Sequence, residues 1–425
     1  MNVVVAGHPF SSSGMGEQVR AGLRALRAVG VPALGYDIFR YSARTDPDMR
    51  ALLAGTETLT LSGSDIRIFH INGDEVERVL SHLADKGESF SEGYNIIVPA
   101  WELPTYPAVW RDGLARFHEI WAISSFVQQS LEASGLVAHH VGQSVESDFK
   151  TYLPRRFFGI RESSYTVLNL FDMGSYVHRK NPWAVVELFK RLSALRPFDD
   201  IQLIIKARLG DGDAKNLARE LSDEVPGGTI VLAESLESFA ARSLIQSTDC
   251  FASLHRSEGF GRGMAEAMMA DRLALATGWS GNCDYMSDEN SLCVRYSLTK
   301  VEEGQYPQWQ GQHWAEPDLD HALYLMLKAI DDPIWARQLR RLGRRTVEKV
   351  ANDRPTGLRM LKRLDVIRTT HDLQKGGSLV SRGGSDGTTR TVSHRIVGDK
   401  PVSPPRRRTG VVGSDTPQAR RRPSG

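Results

Sequence analysis

The chain has 425 residues and a mass of 47.2 kDa, a length that suits two or three domains of roughly 100–200 residues each. Its residues are 41% hydrophobic, 24% charged and 8% aromatic, which is typical of a globular protein and excludes a collagen-like, mucin-like or wholly disordered chain. The net charge of +2 is unevenly distributed, since residues 376–425 hold ten Arg or Lys against three Asp and the rest of the chain is mildly acidic.

The first 155 residues alternate short apolar runs with helical patterns. Val3–Ala6 is a run of strand length, and Val19, Leu23 and Leu26 then recur at helical spacing. Further strands are predicted at Ile66–Ile71, Asn95–Val98, Glu119–Ile123 and His139–Val141, and helices at Pro107–Phe117 and Phe126–Ser134. This alternation indicates a parallel sheet with crossover helices, so we predict a Rossmann-like domain over residues 1–155.

The alternation lapses near Thr151–Ser164 and restarts at Tyr165, which places a domain junction there. Strands are then predicted at Tyr165–Phe171, Ile201–Lys206, Thr229–Leu232, Cys250–Leu254 and Leu273–Ala276, and helices at Pro182–Leu195, Ala214–Leu221, Glu237–Gln246, Gly263–Ala270, Leu319–Ile330, Trp335–Val350 and Thr356–Arg368. We predict a second Rossmann-like domain over residues 164–350 and a C-terminal helix over 351–370, with a return to the N-terminal domain as one option. Ligands of doubly wound α/β folds bind outside the carboxyl ends of the strands, so two such domains would face a cleft that holds the site.

Residues 376–425 are rich in Gly, Ser and Pro and contain no Phe, Trp or Tyr, which predicts a disordered basic tail. Its triplets Arg406–Arg408 and Arg420–Arg422 would suit anionic lipid at the inner face of a membrane, although a merely solvated tail explains them as well. No specific nucleic-acid partner is expected. The three cysteines are too few for a disulfide framework or a zinc site and indicate a reducing cytoplasm. Neither a signal peptide nor a membrane span is predicted.

The stretch Ser257–Met268 reads SEGFGRGMAEAM and follows the apolar run Cys250–Leu254. A strand that feeds a glycine-rich turn and then a helix presents free first-turn N–H groups, which suit phosphate oxygens. Glu266 could accept two hydrogen bonds from a ribose diol. A bland interpretation is also open, in which Glu258 is a solvated loop residue and Glu266 a favourable charge near a helix N-terminus.

With its context, this stretch resembles the signature of the retaining nucleotide-sugar glycosyltransferases of family 4, group 1, which have the two-domain GT-B fold. In that family two glutamates separated by seven residues stand in a Glu-Gly-Phe-Gly…Ala-Glu-Ala-Met string. Three further strings resemble the family in the same order, namely VPAWELP with FHEIWA and SSFV near residues 98–127, LFD…S…RKNP at 170–182 and GWSGNCDYM at 278–286. The resemblance covers about residues 1–365.

The resemblance implies a role for each matching residue. Glu258 would lie beside the transferred sugar, Glu266 would hold the ribose, and Lys180 with Arg179 would supply positive charge to the diphosphate as the sugar departs. Gly14, Gly16, Gly259, Phe260 and Gly261 would complete the donor site. His70 and Glu102 are further catalytic candidates, and Asn72 and Trp101 are candidates on the acceptor side, although a histidine at the end of a strand is more often packed than catalytic.

The sequence also departs from the family. Asp271-Arg272-Leu273 stands where the family has a Gly-x-Pro turn, which predicts a different exit from the preceding helix. Phe171-Asp172 occupies the place of an arginine often found after the first strand of the second domain, so diphosphate binding would depend more on Lys180. Asp211-Gly212-Asp213 spells a metal-binding pattern of other glycosyltransferases, but a turn and a helix N-cap explain it here. No metal and no cofactor are expected.

The resulting hypothesis is a metal-independent, retaining hexosyl-type glycosyltransferase of glycan or glycolipid synthesis. It would transfer a sugar from a nucleotide-diphosphate donor to a hydroxyl of a glycan, lipid or small molecule. Two alternatives remain open: a non-catalytic subunit that binds nucleotide or glycan, suggested by the altered turn at Asp271, and a GT-B-type sugar-nucleotide epimerase. A dehydrogenase is disfavoured because Gly14 and Gly16 are not part of a full G-x-G-x-x-G.

Overall fold

The computed structural model describes residues 2–39, 47–54, 59–63, 65–147, 152–208, 229–232 and 236–380. By its contacts the chain divides into one compact unit, Met1–Thr370, and a second unit, His371–Gly425. The predicted helix Ala214–Leu221, the Asp211-Gly212-Asp213 turn and the tail from residue 381 lie outside the described residues.

The first lobe, residues 2–147, is built on a six-stranded sheet in which every strand pair is parallel. Its strands are β1 Val3–Gly7, β2 Ala33–Asp37, β3 Ile66–Phe69, β4 Tyr94–Ile97, β5 Glu119–Ala122 and β6 Ala138–His140, arranged in the order β2-β1-β3-β4-β5-β6. All five residues of β1 are buried, because helices cover both faces of a parallel sheet. The helices are α1 Gly14–Arg27, α2 Pro47–Leu52, α3 Val76–Asp85, α4 Arg111–Leu114 and α5 Ser125–Ala133.

The second lobe, residues 152–350, repeats this design with a second parallel sheet. Its strands are β7 Tyr165–Asp172, β8 Ile201–Arg208, β9 Ile230–Leu232, β10 Cys250–Ser253, β11 Leu273–Thr277 and β12 Leu292–Val294, in the order β12-β11-β10-β7-β8-β9. An antiparallel hairpin of β13 Tyr296–Lys300 and β14 His313–Pro317 follows. The helices are α6 Val177–Lys180, α7 Pro182–Leu195, α8 Ser238–Gln246, α9 Arg262–Met269, α10 Leu319–Asp331 and α11 Pro333–Val350.

The last helix, α12 Asp353–Val380, packs against the first lobe. Arg363 donates two hydrogen bonds to the Glu119 carboxylate on β5, at 2.8 and 2.7 Å, and Arg359 Nε donates to the Val141 carbonyl at 2.7 Å. Among the described residues no helix has an apolar stretch of the length needed to cross a bilayer.

The predicted fold class is confirmed, but several elements differ from the predictions. Strand β2 and helix α3 were not predicted, nor was the hairpin β13–β14, whose first strand is largely exposed and lacks a continuous apolar run. The predicted helix at 107–117 is a short 3₁₀ turn followed by α4. Residues 376–380, predicted to begin the disordered tail, are helical, because extending a formed helix is easier than nucleating one.

The topology brings two helix N-termini to one place. Helix α1 starts after β1, and α9 starts after β10, so both begin at the carboxyl edge of their sheets. These edges face one another within the compact unit and position the candidate site.

Candidate functional site

The two lobes enclose a cleft of about 490 Å³. The first lobe lines it with the start of α1 and with loops that follow β3, β4, β5 and β6. The second lobe contributes the end of β7, helix α6, the turn into α9, and one residue of the hairpin loop. Its described charged lining residues are Glu17, Glu102, Asp172, Arg179, Lys180, Glu258, Arg262 and Glu266. The predicted residues Gly14, Asn72, Gly259, Phe260 and Gly261 also line it.

Glu258 lies at the centre of the charged residues of the second lobe and is 7% exposed. Its carboxylate forms ion pairs with Lys180 Nζ at 2.6 Å and Arg179 Nη1 at 3.1 Å. Burial alone would raise the pKa of Glu258, but the two cations outweigh it and lower the pKa to about 2. Glu258 is therefore a permanent anion at neutral pH, and it accepts hydrogen bonds but cannot act as a proton donor.

The two cations beside Glu258 differ in their surroundings. Burial lowers the pKa of Lys180, opposed by the charge of Glu258. Burial also acts to lower the pKa of Arg179, but Glu102 and Glu258 together raise it. Arg179 additionally donates to the Ser257 and Ser175 carbonyls at 2.9 and 3.2 Å. These contacts hold Arg179 against the backbone of its own lobe, while Lys180 Nζ donates to Glu258 Oε1 at 2.6 Å.

The turn after β11 fastens the loop that carries Glu258. The Glu258 N–H donates to Ser280 Oγ at 2.8 Å, and the Gly281 N–H donates to the Glu258 carbonyl at 2.9 Å. A side chain at 281 would overlap the Gly259 carbonyl. The GWSGNCDYM string therefore supports the loop rather than lining the cleft, and none of its residues is among the lining residues.

Gly261 begins α9 in a conformation that favours glycine. Its φ is +84°, and a Cβ there would overlap Met264 Cε and lie 2.9 Å from the Tyr285 hydroxyl. That hydroxyl donates to the Phe260 and Gly261 carbonyls at 3.1 and 2.5 Å. The turn directs the first N–H groups of α9, which lack intrahelical acceptors, toward the cleft.

Glu266 lies in the second turn of α9 and forms an ion pair with Arg262 at 2.7 Å. Arg262 also reaches the first lobe, where its guanidinium lies 3.3 Å from Glu17 Oε1 and donates to the Ser144 carbonyl at 2.9 Å. Glu17 in turn pairs with Arg20 and Arg24. Burial raises the pKa of Glu17, and the arginines lower it by more. A chain of ion pairs therefore joins Glu266 to the first lobe.

Gly14 and Gly16 have different environments although both are at the start of α1. Gly14 is exposed, lines the cleft and has open space around its Cα. The Gly16 N–H donates to the side chain of the N-cap residue Ser13 at 3.3 Å, and Gly16 does not line the cleft. The prediction that Gly16 presents its N–H to a diphosphate is therefore wrong. Glycine is needed there because a Cβ would overlap the Ser11 carbonyl.

Of the first-lobe candidates, Glu102 and Asn72 line the cleft. Glu102 accepts a hydrogen bond from the Tyr306 hydroxyl and lies 3.7 Å from Arg179 Nη2. Asn72 Oδ1 accepts the Ala100 N–H at 3.0 Å. Trp101 is 3% exposed and does not line the cleft. It forms the wall behind Tyr306, whose ring centroid is 5.4 Å away, so the prediction of a cleft position for Trp101 is wrong.

His70 is separated from the cleft. It lines a small internal cavity at the foot of α1, where Gln18 Nε2 lies 3.1 Å from its Nδ1 and its buried Nε2 has no partner. Burial lowers the pKa of His70 to about 3, so the ring is neutral at ordinary pH. Its predicted catalytic role has no geometric support, because β3 directs the side chain into the packing between sheet and helix.

Several residues that line the cleft were missed by sequence reasoning, among them Glu17, Tyr176, Arg262 and Tyr306. Arg262 alone had a sequence indication, since it stands four residues before Glu266 on the same helix and can pair with it. Tyr306 comes from the loop of the unpredicted hairpin. Its position depends on contacts across 204 residues of sequence.

Helix α9 ends in a regular C-terminal motif although it has no glycine there. Asp271 adopts a left-handed φ of +57°, its N–H donates to the Met268 carbonyl, and the Arg272 N–H donates to the Ala267 carbonyl. These are the two hydrogen bonds of a Schellman motif, with Asp in the position usually taken by glycine. The helix therefore has a regular exit without glycine, although the sequence there differs from that of the family.

The described residues contain no group of three or more His, Cys, Asp or Glu placed to hold a metal ion. In the cleft, Lys180 and Arg262 are paired with the carboxylates of Glu258 and Glu266.

Residues 159–303, most of the second lobe, match the sequence model of the family described as glycosyl transferases group 1. No curated protein matches the chain. Among solved structures, the chain is similar to HepE from Anabaena in complex with UDP and glucose, with a TM-score of 0.63, 10% identity, and coverage of 86% of this chain and 100% of that one.

Two further solved structures give the same result. Sucrose-phosphate synthase from Thermosynechococcus elongatus has a TM-score of 0.61 and 13% identity, and covers 87% of this chain and 100% of its own. A glycosyltransferase from Rickettsia africae has a TM-score of 0.58 and 13% identity, with coverage of 86% and 97%. At these identities the likeness establishes a GT-B-type fold.

Proposed function

We propose that this protein is a nucleotide-sugar glycosyltransferase that transfers a sugar from a nucleoside-diphosphate donor to an acceptor hydroxyl with retention at the anomeric carbon. The observation that carries the proposal is that Glu258 and Glu266 line one inter-lobe cleft together with Lys180, Arg262 and the N-termini of α1 and α9. The match of residues 159–303 to the glycosyl transferases group 1 model supports it. So do the complexes of similar structures with UDP and with UDP-glucose.

In this proposal, donor binding replaces ion pairs within the protein by ion pairs between the protein and the donor. Lys180 and Arg262 are paired with Glu258 and Glu266, the two carboxylates assigned to the sugar and the ribose. A diphosphate would take both cations, and sugar and ribose hydroxyls would then donate to the freed carboxylates. Because each buried charge keeps a partner, the exchange avoids the cost of an unpaired ion.

The reaction then proceeds without a protein nucleophile. The bond between the anomeric carbon and the phosphate oxygen breaks, the acceptor oxygen bonds to the same face of that carbon, and the acceptor proton passes to the departing phosphate. Lys180, Arg262 and the N–H groups of α1 and α9 stabilise the negative charge that develops on the leaving group. Positioning and electrostatics supply the catalysis, and no metal ion is part of the proposal.

A turnover assay tests the proposal and its alternatives. Purified full-length protein is incubated with UDP-, GDP- and ADP-sugars, with and without acceptors, and released nucleoside diphosphate is quantified. We expect slow release with one donor alone, faster release with acceptor, and a product whose anomeric configuration by NMR matches the donor. Conversion of one nucleotide sugar into another without acceptor would identify an epimerase. Absence of binding and turnover with every donor would overturn the proposal in favour of a non-catalytic subunit.

A further inference from the structure

Tyr176 has an unusual backbone conformation at the cleft. Its φ of 59° and ψ of 91° lie outside the regions that side-chain-bearing residues favour, and such conformations persist where surrounding structure enforces them, often at ligand sites. The Tyr176 carbonyl accepts the Arg179 and Lys180 N–H groups at 3.0 and 3.4 Å. The strained residue therefore starts the turn that carries both cations beside Glu258.

The Tyr176 side chain is an exposed aromatic surface with a rigid support. It lines the cleft and is 48% exposed. Its ring packs edge-on against Tyr306, with centroids 4.8 Å apart and planes at 61°. Tyr306 is buried, packs edge-to-face against Trp101 with ring centroids 5.4 Å apart, and donates its hydroxyl hydrogen to Glu102. A tyrosine ring that already packs against a neighbour on one side has little side-chain conformational entropy to lose when a ligand binds to its exposed side.

The polar side chains that line the cleft with Tyr176 include a carboxylate, Glu102, an amide, Asn72, and a guanidinium that is already paired, Arg179. Glu102 and Asn72 line the same part of the cleft. Burial raises the pKa of Tyr176, the charges of Asp74 and Glu102 raise it further, and the charge of Arg179 lowers it. The nearby cation Arg179 is bound to Glu102 and Glu258. Anionic ligands are disfavoured here, whereas neutral hydroxyl groups find acceptors.

We propose that the acceptor is a neutral saccharide whose apolar ring face stacks on Tyr176 and whose hydroxyl groups donate to Glu102 on the opposite lobe. The C–H groups of a pyranose face suit the negative face of an aromatic ring, and convergent carboxylate and amide groups fix the orientation. The guanidinium of Arg179 pairs with both Glu102 and Glu258. A sugar bound to Glu102 would therefore be separated from Glu258, the residue assigned to the transferred sugar, by that one guanidinium group. The inference rests on the proposed function and specifies its acceptor class.

Saturation-transfer NMR with methyl glycosides of glucose, galactose and mannose, in both anomeric forms, tests this inference without requiring turnover. Each protein sample contains an excess of UDP or GDP so that the nucleotide site is filled. The affinity for each glycoside is then compared between the wild type, Tyr176→Ala and Tyr176→Phe. We expect at least one glycoside to bind, Tyr176→Phe to keep its affinity, and Tyr176→Ala to weaken it about tenfold or more. Tyr324→Ala is the matched control, because Tyr324 is 57% exposed on α10 and does not line the cleft.

Four outcomes separate the possibilities. Binding of no glycoside, or equal binding by Tyr176→Ala, overturns the inference. Loss of UDP or GDP affinity in Tyr176→Ala with unchanged glycoside affinity would assign the ring to the nucleobase and overturns it also. Binding of a prenyl or octyl alcohol, and of no glycoside, would show a lipid acceptor. In each case the proposed function stands if a sugar is still transferred from a nucleotide sugar to an acceptor, and it falls if no donor gives transfer.

Discussion

Three charged side chains meet at one point of the second lobe. Glu258, Lys180 and Arg179 form a buried cluster in which one anion is shared by two cations. Both cations line the cleft, but Arg179 also donates to the Ser257 and Ser175 carbonyls, so we expect a diphosphate to recruit Lys180. The residue-scale predictions follow from this asymmetry.

Lys180→Ala should lower donor turnover about 10²- to 10³-fold, because it removes a charge that stabilises the leaving group in a water-poor site. We expect the far-UV circular dichroism spectrum to be unchanged. Lys300→Ala is the control, since Lys300 is exposed on β13 and does not line the cleft. Wild-type turnover in Lys180→Ala would contradict the assignment of Lys180 to the diphosphate.

Glu258→Gln should destabilise the protein at neutral pH by about 3–5 kcal/mol, since it leaves two buried cations without their shared anion. The folded-state pKa of about 2 lies below the ordinary value of 4.5. The Glu258 contribution is therefore complete above about pH 4.5 and is lost as the pH falls toward 2. Urea unfolding at pH 7, 5, 4 and 3.5 should show the difference between wild type and variant narrowing below pH 4.5. A constant difference would rule out this linkage.

His70 shows how far a residue pattern can mislead at this scale. A histidine at the end of a buried strand was a catalytic candidate, yet its ring lies under α1 with a pKa of about 3. The direction of the side chain depends on what packs above the strand. No local sequence pattern contains that information.

At the scale of elements, the two ends of α9 carry two left-handed residues with opposite consequences. Gly261 precedes the helix with φ +84°, and Asp271 follows it with φ +57°. Only the first has the residue type that this conformation favours. A required glycine therefore precedes the helix, and a strained aspartate follows it.

Gly261→Ala should lower the free energy of unfolding by about 2 kcal/mol or more, through the positive φ and overlap with Met264. Asp271→Gly should raise it by about 0.5–1 kcal/mol, because relief of strain exceeds the entropy cost of glycine. Urea denaturation measures both. Stabilisation by Gly261→Ala, or a large loss in Asp271→Gly, would contradict the backbone argument.

The elements that sequence periodicity predicted well are those with strong apolar patterns. Helix α7 has the predicted bounds, Pro182–Leu195, because Pro182 starts it and the periodicity is unbroken. The hairpin β13–β14 was missed although its loop supplies Tyr306, because β13 is exposed and largely polar and β14 has only two consecutive buried residues, Trp314 and Ala315. Exposed strands leave little trace in hydrophobic periodicity.

On the scale of the whole molecule, contacts between distant segments join the lobes on both sides of the cleft. Ser124 Oγ donates to the Gly259 carbonyl at 2.5 Å, and Asp284 accepts the Ser125 N–H at 2.9 Å. Gln312 pairs with the Thr105 backbone at 3.2 and 2.7 Å. Helix α12 adds a further connection, because it follows the second lobe in sequence and packs on the first.

Gly357 tests the packing of α12. Alanine has a better intrinsic helix propensity by about 1 kcal/mol, but a Cβ at 357 would overlap the Ala25 carbonyl oxygen and lie 2.8 Å from its carbon. Gly357→Ala should therefore lower the thermal midpoint, at a cost of about 1–3 kcal/mol. Leu358→Ala, at an exposed neighbouring position, should have a smaller effect. A raised midpoint in Gly357→Ala would show that α12 does not approach α1 as described.

The sequence by itself determined the two α/β lobes, the strand-turn-helix that carries Glu258 and Glu266, and the resemblance of its motifs to group 1 glycosyltransferases. These are local properties, set by hydrophobic period, glycine positions and helix signals over a few residues. Only the tertiary structure decided that Lys180 pairs with Glu258, 78 positions away, that Arg262 bridges to Glu17, and that Tyr176 and Tyr306 line the cleft while His70 does not. Such contacts depend on how loops meet after two sheets and a long hairpin have packed, and side-chain direction at that stage is set by neighbours far away in the chain.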